Sequence, residues 1–324
     1  MGSASEDRRV VLDPLVQRLV DASSAPPYLH QLGPVDGRQA LLESQGHPRD
    51  DFGVEVEFRV APVGPSGLVG FWVFRPVRPA GHLPAVLYVH GGRWMLGDAQ
   101  THARLICELA ERSEAAFVVP EYSRTPEARY PVAVEESYAL LTWVAEHAGG
   151  LGLDGRRLAV AGDCAGATMA TALTMLAKRR GGPRLRAQVL YYPLVDPRAD
   201  TSSRRVFASG YLLTREALEW YWEQYLDDPL DAAEPTASPL RASIEALAGL
   251  PPALIVTAEA DVVRDEGELY ARRLLAAGVR VTAVRYQGTV HDFVSLNAVR
   301  DSPSARTAVR QGGTFLREAL GTGR

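Results

Sequence analysis

The sequence predicts an α/β fold, a mostly parallel sheet covered by helices on both faces. Two observations carry this. Short, near-continuous apolar runs of strand length recur from about residue 54 onward, and longer helix-period segments separate them. VEVEFRV (54–60) and GLVGFWVFRP (67–76) alternate and suit an antiparallel pair, whereas PAVLYVH (84–90) and AAFVVP (115–120) suit buried parallel strands. THARLICELAERS, with Leu105, Ile106 and Leu109, reads as an amphipathic helix, and its Cys107 as a small buried apolar side chain. PVAVEESYALLTWVAEH (131–147) opens on a proline and carries Val134, Tyr138 and Leu141 at helical spacing. RLAVAG (157–162) is the next strand, and AGATMATALTMLAKRRGG (165–182) a helix stopped by Gly181 and Gly182. AQVLYYP (187–193), PALIVTA (252–258) and VRVTAVRY (279–286) complete the strands, with a helix over about 265–277 stopped at Gly278.

Residues 1–50 and about 196–245 fall outside this rhythm. The second stretch carries Trp220, Tyr221, Trp222 and Tyr225, aromatics that serve either as core packing or as the apolar wall of a pocket. At 46% hydrophobic and 23% charged residues the chain has the composition of a globular protein rather than of a disordered segment. A formal charge of −4 and the lack of a basic patch argue against nucleic acid as a partner. No apolar stretch is long enough to span a bilayer, and no leader pattern opens the chain, so the expected location is cytoplasmic.

The sharpest chemical signal is Gly162-Asp163-Cys164-Ala165-Gly166, between a predicted strand and a predicted helix. This is the G-x-nucleophile-x-G elbow pattern with Cys in the place of Ser. The glycines permit a tight turn and close backbone approach, and the helix N-terminus behind Cys164 favours a thiolate. Asp261, after PALIVTA, and His291, after VRVTAVRY, follow in the order acid then base, each just past the end of a predicted parallel strand. His291 is expected to take the thiol proton and Asp261 to orient the imidazole. Asp265 and Glu266 read as residues of a helix N-terminus, and His30, His47, His82, His102 and His147 as surface or packing residues. His90-Gly91-Gly92-Arg93-Trp94, directly after a strand, supplies a loop whose N–H groups suit an oxyanion.

On these residues the chain resembles the hormone-sensitive-lipase-like α/β-hydrolases, also called bacterial esterase family IV, over roughly residues 50–295. HGGRW resembles the family's HGGGW loop, GDCAGA its GDSAGG elbow, and EYSRTPEARYP its Y-R-L-A-P-E segment. SGYLLT, the ASPL run at 237–240, LPPALIVTAEADVVRDEG and the closing HDF also have family counterparts. The resemblance implies an α/β-hydrolase core over 51–195 and 246–324, and a helical cap built from 1–50 and 196–245. It implies a Cys164–His291–Asp261 triad, oxyanion donors on Gly92, Arg93 and Ala165, a small-molecule acyl substrate, and no metal or organic cofactor. Trp94, Trp220 and Trp222 are candidate pocket residues. Dimers are common on this scaffold, though no residue pattern here demands one.

Three residues depart from the family: Cys164 for Ser, Arg93 for the third loop Gly, and Asp292 for the Gly after the catalytic His. A thiol suits thioesters, activated esters or lactones, or acyl transfer to an acceptor other than water. Arg93 either points away into a salt bridge or meets a substrate carboxylate or carbonyl. Asp292 either raises the pKa of His291 or is a solvated loop residue, and the solvated reading is the simpler expectation. The expected activity is hydrolysis of a carboxylic ester, thioester or lactone through an acyl-thioenzyme. A tailoring reaction on the same scaffold (acyl transfer, cyclisation or elimination) is the alternative, and a non-catalytic small-molecule receptor the third reading.

Overall fold

The structure is a computed structural model that describes residues 10–46, 52–78 and 81–323. Eight strands form one sheet in the order β1-β2-β4-β3-β5-β6-β7-β8. Helices α1 (Pro14–Ala22) and α2 (Gly33–Gln45) precede the sheet. β1 (Val54–Ala61) and β2 (Val69–Pro76) form the antiparallel pair that the alternating sequence predicts, in register from Val54 opposite Pro76 to Ala61 opposite Val69. β2 also runs antiparallel to β4 (Ala116–Pro120). All later pairings are parallel, linking β3 (Leu83–Val89), β4, β5 (Leu153–Asp163), β6 (Leu185–Tyr191), β7 (Ala253–Ala260) and β8 (Val281–Val290). β3 and β4 are buried along their whole length, as parallel strands covered on both faces must be.

α3 (Ala103–Ser113), α4 (Val132–His147), α5 (Ala165–Arg180), α9 (Arg264–Ala276) and α10 (Pro303–Leu320) cover the sheet. α5 stops at Gly181, whose φ of 62° is the left-handed cap its sequence announces. α10, which strand and motif patterns did not mark out, packs on α3. Between β6 and β7 lie the short α6 (Ser202–Val206), α7 (Arg215–Tyr225) and α8 (Ile244–Leu247). Among the described residues no helix is long and apolar enough to cross a membrane.

The topology places the chemistry. β4 and β5 flank β3 on opposite sides, so the chain reverses its direction of travel across the sheet beside β3. Such a reversal opens a crevice at the carboxyl ends of the strands. His90 follows β3, Cys164 follows β5, Asp261 follows β7 and His291 follows β8, so four separate strand ends converge there.

Candidate active site

Cys164 caps α5 with φ 53° and ψ −124°, a strained backbone for any residue with a Cβ. Its neighbours must be glycine because the turn is crowded. A Cβ on Gly162 would stand 2.5 Å from the carbonyl oxygen of Gly166, and one on Gly166 would stand 2.5 Å from that of His90 and collide with that of Val89. The turn is held from behind by the Cys164 N–H, which donates to the Tyr191 carbonyl at 2.9 Å.

Asp163 joins this elbow to the loop after β3. Its carboxylate accepts from the Tyr88 hydroxyl at 2.7 Å and from the Gly91 N–H at 2.9 Å, and His102 Nε2 lies 3.3 Å away. His102 is therefore a buried partner of the site's scaffold, with a pKa raised by Asp163 in spite of burial. Its sequence context gave no sign of this, because the pairing spans 61 residues. His90 stacks on Tyr122 at 4.4 Å, and burial, with His102 nearby, pushes its pKa to about 3. It is a neutral structural residue. Gly91 is required by the close carboxylate of Asp163, and Gly92 (φ 103°) by the backbone of Leu96. Among the described residues nothing accepts from the N–H groups of Gly92, Arg93 or Ala165, so all three are free to face an oxyanion.

His291 and Asp261 are buried, with His291 Nδ1 2.7 Å from Asp261 Oδ2. Asp261 is fixed in turn by the Val263 N–H, which donates to its Oδ1 at 3.1 Å. The Cys164 sulfur, a ring nitrogen of His291 and a carboxylate oxygen of Asp292 all lie within 4.8 Å of one another. Among the described residues His291 Nε2 has no hydrogen-bond partner, and Asp292 Oδ1 stands 3.4 Å from it. Burial disfavours the imidazolium, but Asp261, Asp292 and Cys164 outweigh it and hold the pKa of His291 well above the ordinary histidine value.

Asp292 is not the solvated loop residue that the sequence led us to expect. It is 6% exposed, at φ 63°, and its Oδ2 accepts from Arg93 Nη2 at 2.5 Å. Arg93 is 6% exposed at φ 54°. Two of the three family departures are thus a single buried ion pair, built across 199 residues. Each occupies a left-handed backbone position suited to the glycine it replaces. Burial pulls the pKa of Arg93 down, and the Asp292 carboxylate more than offsets this, so the guanidinium stays charged.

A cavity of about 320 Å³ reaches this pair. Leu19, Tyr28 and His30 line it from the N-terminal segment, and Leu213 and Tyr221 from the segment between β6 and β7. Tyr221 also meets Arg93, whose guanidinium carbon is 5.9 Å from the ring centre. Trp94 and Trp222 do not line this cavity. They are buried against each other at 4.4 Å, and Trp94 stacks on Tyr225 at 4.1 Å. Trp220 lies beyond Tyr221 at 5.1 Å, on a separate surface depression with Arg215 and Glu219. Asp265 and Glu266 engage elements away from Cys164, His291 and Asp261. Asp265 accepts from the Ser203 N–H, and Glu266, fully buried, pairs with Arg204 at 2.7 Å, so both tie α9 to the α6 region.

Comparison with known proteins agrees with this architecture. Residues 86–295 match the model of a family described by the alpha/beta hydrolase fold, and the chain belongs to that family. It is 34% identical over 313 residues to carboxylesterase NlhH of Mycobacterium tuberculosis, covering 95% of this chain and 96% of the relative. It is 36% identical over 230 residues to an ethyl acetate hydrolase of Pseudomonas putida, covering 70% and 72%. A solved thermostable esterase from Pseudomonas putida superposes with a TM-score of 0.92 at 42% identity, over 99% of both chains.

Proposed function

We propose that this protein hydrolyses a carboxylic ester, thioester or lactone through an acyl-thioenzyme on Cys164. The observation that carries the reading is the elbow at Cys164, with its sulfur within 4.8 Å of a ring nitrogen of His291, whose Nδ1 is bound to Asp261. In this reading the imidazolium–thiolate pair attacks the acyl carbonyl, and the charge on its oxygen is met by the N–H groups of Gly92, Arg93 and Ala165. Collapse of the adduct expels the alcohol or thiol, which takes the proton from His291. A water, deprotonated by the now neutral His291, then attacks the thioester and releases the acid and the thiol. The esterase names of the relatives support the reaction class. The cavity lined from both 19–44 and 212–221 supports reading residues 1–50 and 196–245 as a cap.

Intact-mass spectrometry after brief exposure to p-nitrophenyl esters and acyl thioesters tests this. The expected result is one acyl mass on Cys164, lost in Cys164→Ala and kept in Cys107→Ala. Turnover that persists in Cys164→Ala, with no acyl mass in the native protein, would overturn it.

A further inference from the structure

Asp292, which the acyl-transfer reading does not need, completes a donor set with two residues that the reading does use. Cys164 contributes a thiol sulfur, His291 its unpartnered Nε2, and Asp292 the Oδ1 that Arg93 leaves free. The sulfur, a ring nitrogen of His291 and a carboxylate oxygen of Asp292 lie within 4.8 Å of one another, and all three residues are buried. We propose that Cys164, His291 and Asp292 form a three-ligand site for a zinc-class divalent cation, and that its occupancy silences the nucleophile.

The nitrogen–oxygen edge of the site fits the ion. Zinc bonds of about 2.0–2.1 Å to nitrogen and 2.0–2.2 Å to oxygen, at a tetrahedral angle, give a ligand–ligand edge of about 3.4 Å. The separation of His291 Nε2 and Asp292 Oδ1 is 3.4 Å, too long for a good hydrogen bond between them. The surroundings fit as well. Asp261 holds the opposite ring nitrogen of His291 at 2.7 Å, the carboxylate–histidine–metal arrangement that fixes the tautomer and raises the basicity of the ligating nitrogen. Arg93 plays the equivalent part for the ligating carboxylate, holding Asp292 Oδ2 at 2.5 Å so that Oδ1 faces the site.

Charge and softness select the ion. A thiolate and a carboxylate neutralise a dication, whereas hard cations such as magnesium prefer oxygen-only sets. Binding releases the thiol proton, and the Nε2 proton where present, to solvent; the three protein–metal bonds form with no change of oxidation state. Three protein ligands leave the fourth tetrahedral position to water. Asp292 also lines the cavity, which gives the carboxylate side of the site an approach from outside. Silencing rests on the hydrolase reading, because it removes the nucleophile and the base together; metal binding does not, and the two are tested separately.

The test titrates metal-free protein with cadmium, watching the thiolate-to-metal charge-transfer absorbance, and with zinc by calorimetry. The expected result is one equivalent bound, an absorbance that vanishes in Cys164→Ser and persists in Cys107→Ala, and a zinc affinity weakened at least about tenfold in Asp292→Asn. Thermal unfolding of each variant confirms that it is folded. Binding without a defined stoichiometry, absorbance that survives Cys164→Ser, or unchanged zinc affinity in Asp292→Asn would overturn the proposal. Zinc binding by a protein that hydrolyses no ester would leave the site standing and remove the hydrolase reading; hydrolysis indifferent to bound zinc would remove the silencing.

Discussion

The Arg93–Asp292 pair is open to a double-mutant cycle whose outcome follows from its burial. Both side chains are under a tenth exposed, at 7% and 9%, and the charged atoms are 2.5 Å apart. With an effective dielectric of about 20, charges at that distance attract by about 7 kcal/mol before desolvation is subtracted. An exposed pair nets about 0–1 kcal/mol, but removing one member of a buried pair costs about 3–5 kcal/mol because the other charge is stranded. The two halves differ. Without Arg93, the Asp292 carboxylate still has His291 Nε2 at 3.4 Å; without Asp292, the guanidinium has no hydrogen-bonded partner among the described residues and meets the Tyr221 ring at 5.9 Å. Arg93→Gly is therefore expected to cost about 3 kcal/mol and Asp292→Gly more, each offset by about 1 kcal/mol because glycine relieves the left-handed backbone. Arg93→Gly/Asp292→Gly together should recover most of the native stability, a coupling of about 3 kcal/mol. Equilibrium urea unfolding of the four proteins measures this. Single-variant losses that simply add, within about 0.5 kcal/mol, would refute the view that the pair is one unit.

Three further outcomes follow. Asp292→Asn removes a negative charge 3.4 Å from His291 Nε2, so the site gives up its proton more easily and the acid limb of the pH–rate profile should move down by about one pH unit or more; an unmoved limb would show that Asp292 does not act on the base. Gly166→Ala places a methyl against the carbonyls of Val89 and His90, and should yield misfolded protein or lose more than about 3 kcal/mol of stability in the same unfolding assay. Burial pushes Glu266 up to about 7 against the pull of Arg204. Between its ordinary value and about 7 the native state holds a proton that the unfolded chain has lost, so stability falls as pH rises through that window. Glu266→Gln should flatten that fall in thermal unfolding run from pH 4.5 to 8.

What was legible in the sequence was local. Cys164 sits between glycines that nothing larger can replace, and the strand–turn–helix string around it is contiguous, so residues 157–182 nearly specify their own geometry. Asp261 could be placed because it directly follows a strand whose apolar run marks its end, and His291 because it follows the next predicted strand in acid-then-base order, though β8 runs on from Tyr286 to Val290. Distance along the chain hid the rest. Asp163 with His102, and Arg93 with Asp292, meet only once the sheet has formed, across 61 and 199 residues. Two charged residues standing at glycine positions of the family pattern were the available signal for the second pair, and it was visible only when both were considered together. The aromatic stripe of α7 failed for a rotational reason. Tyr221 and Trp222 are about 100° apart around the helix, and that angle turns Tyr221 to the cavity and Trp222 to Trp94.

On the proposed mechanism, with Cys164 as nucleophile, the three departures also explain one another chemically. A serine hydroxyl cannot ionise before attack, so its base must begin neutral, and a second carboxylate beside Nε2 handicaps it by favouring the imidazolium. A thiol can pass its proton to the base first, and an imidazolium is then part of the reactive pair. Asp292 is thus tolerable beside a cysteine and harmful beside a serine, and Arg93 is what keeps Asp292 buried and oriented. It follows that Cys164→Ser alone should hydrolyse oxygen esters slowly at neutral pH and gain at alkaline pH. Cys164→Ser combined with Arg93→Gly and Asp292→Gly restores the family pattern and should exceed the single variant at pH 7 by about tenfold for each unit that the pKa of His291 falls. Steady-state hydrolysis of p-nitrophenyl acetate from pH 6 to 9 compares them. A single variant as fast at pH 7 as the triple would mean that Asp292 places no demand on the nucleophile, and the thiol would need another reason to be there.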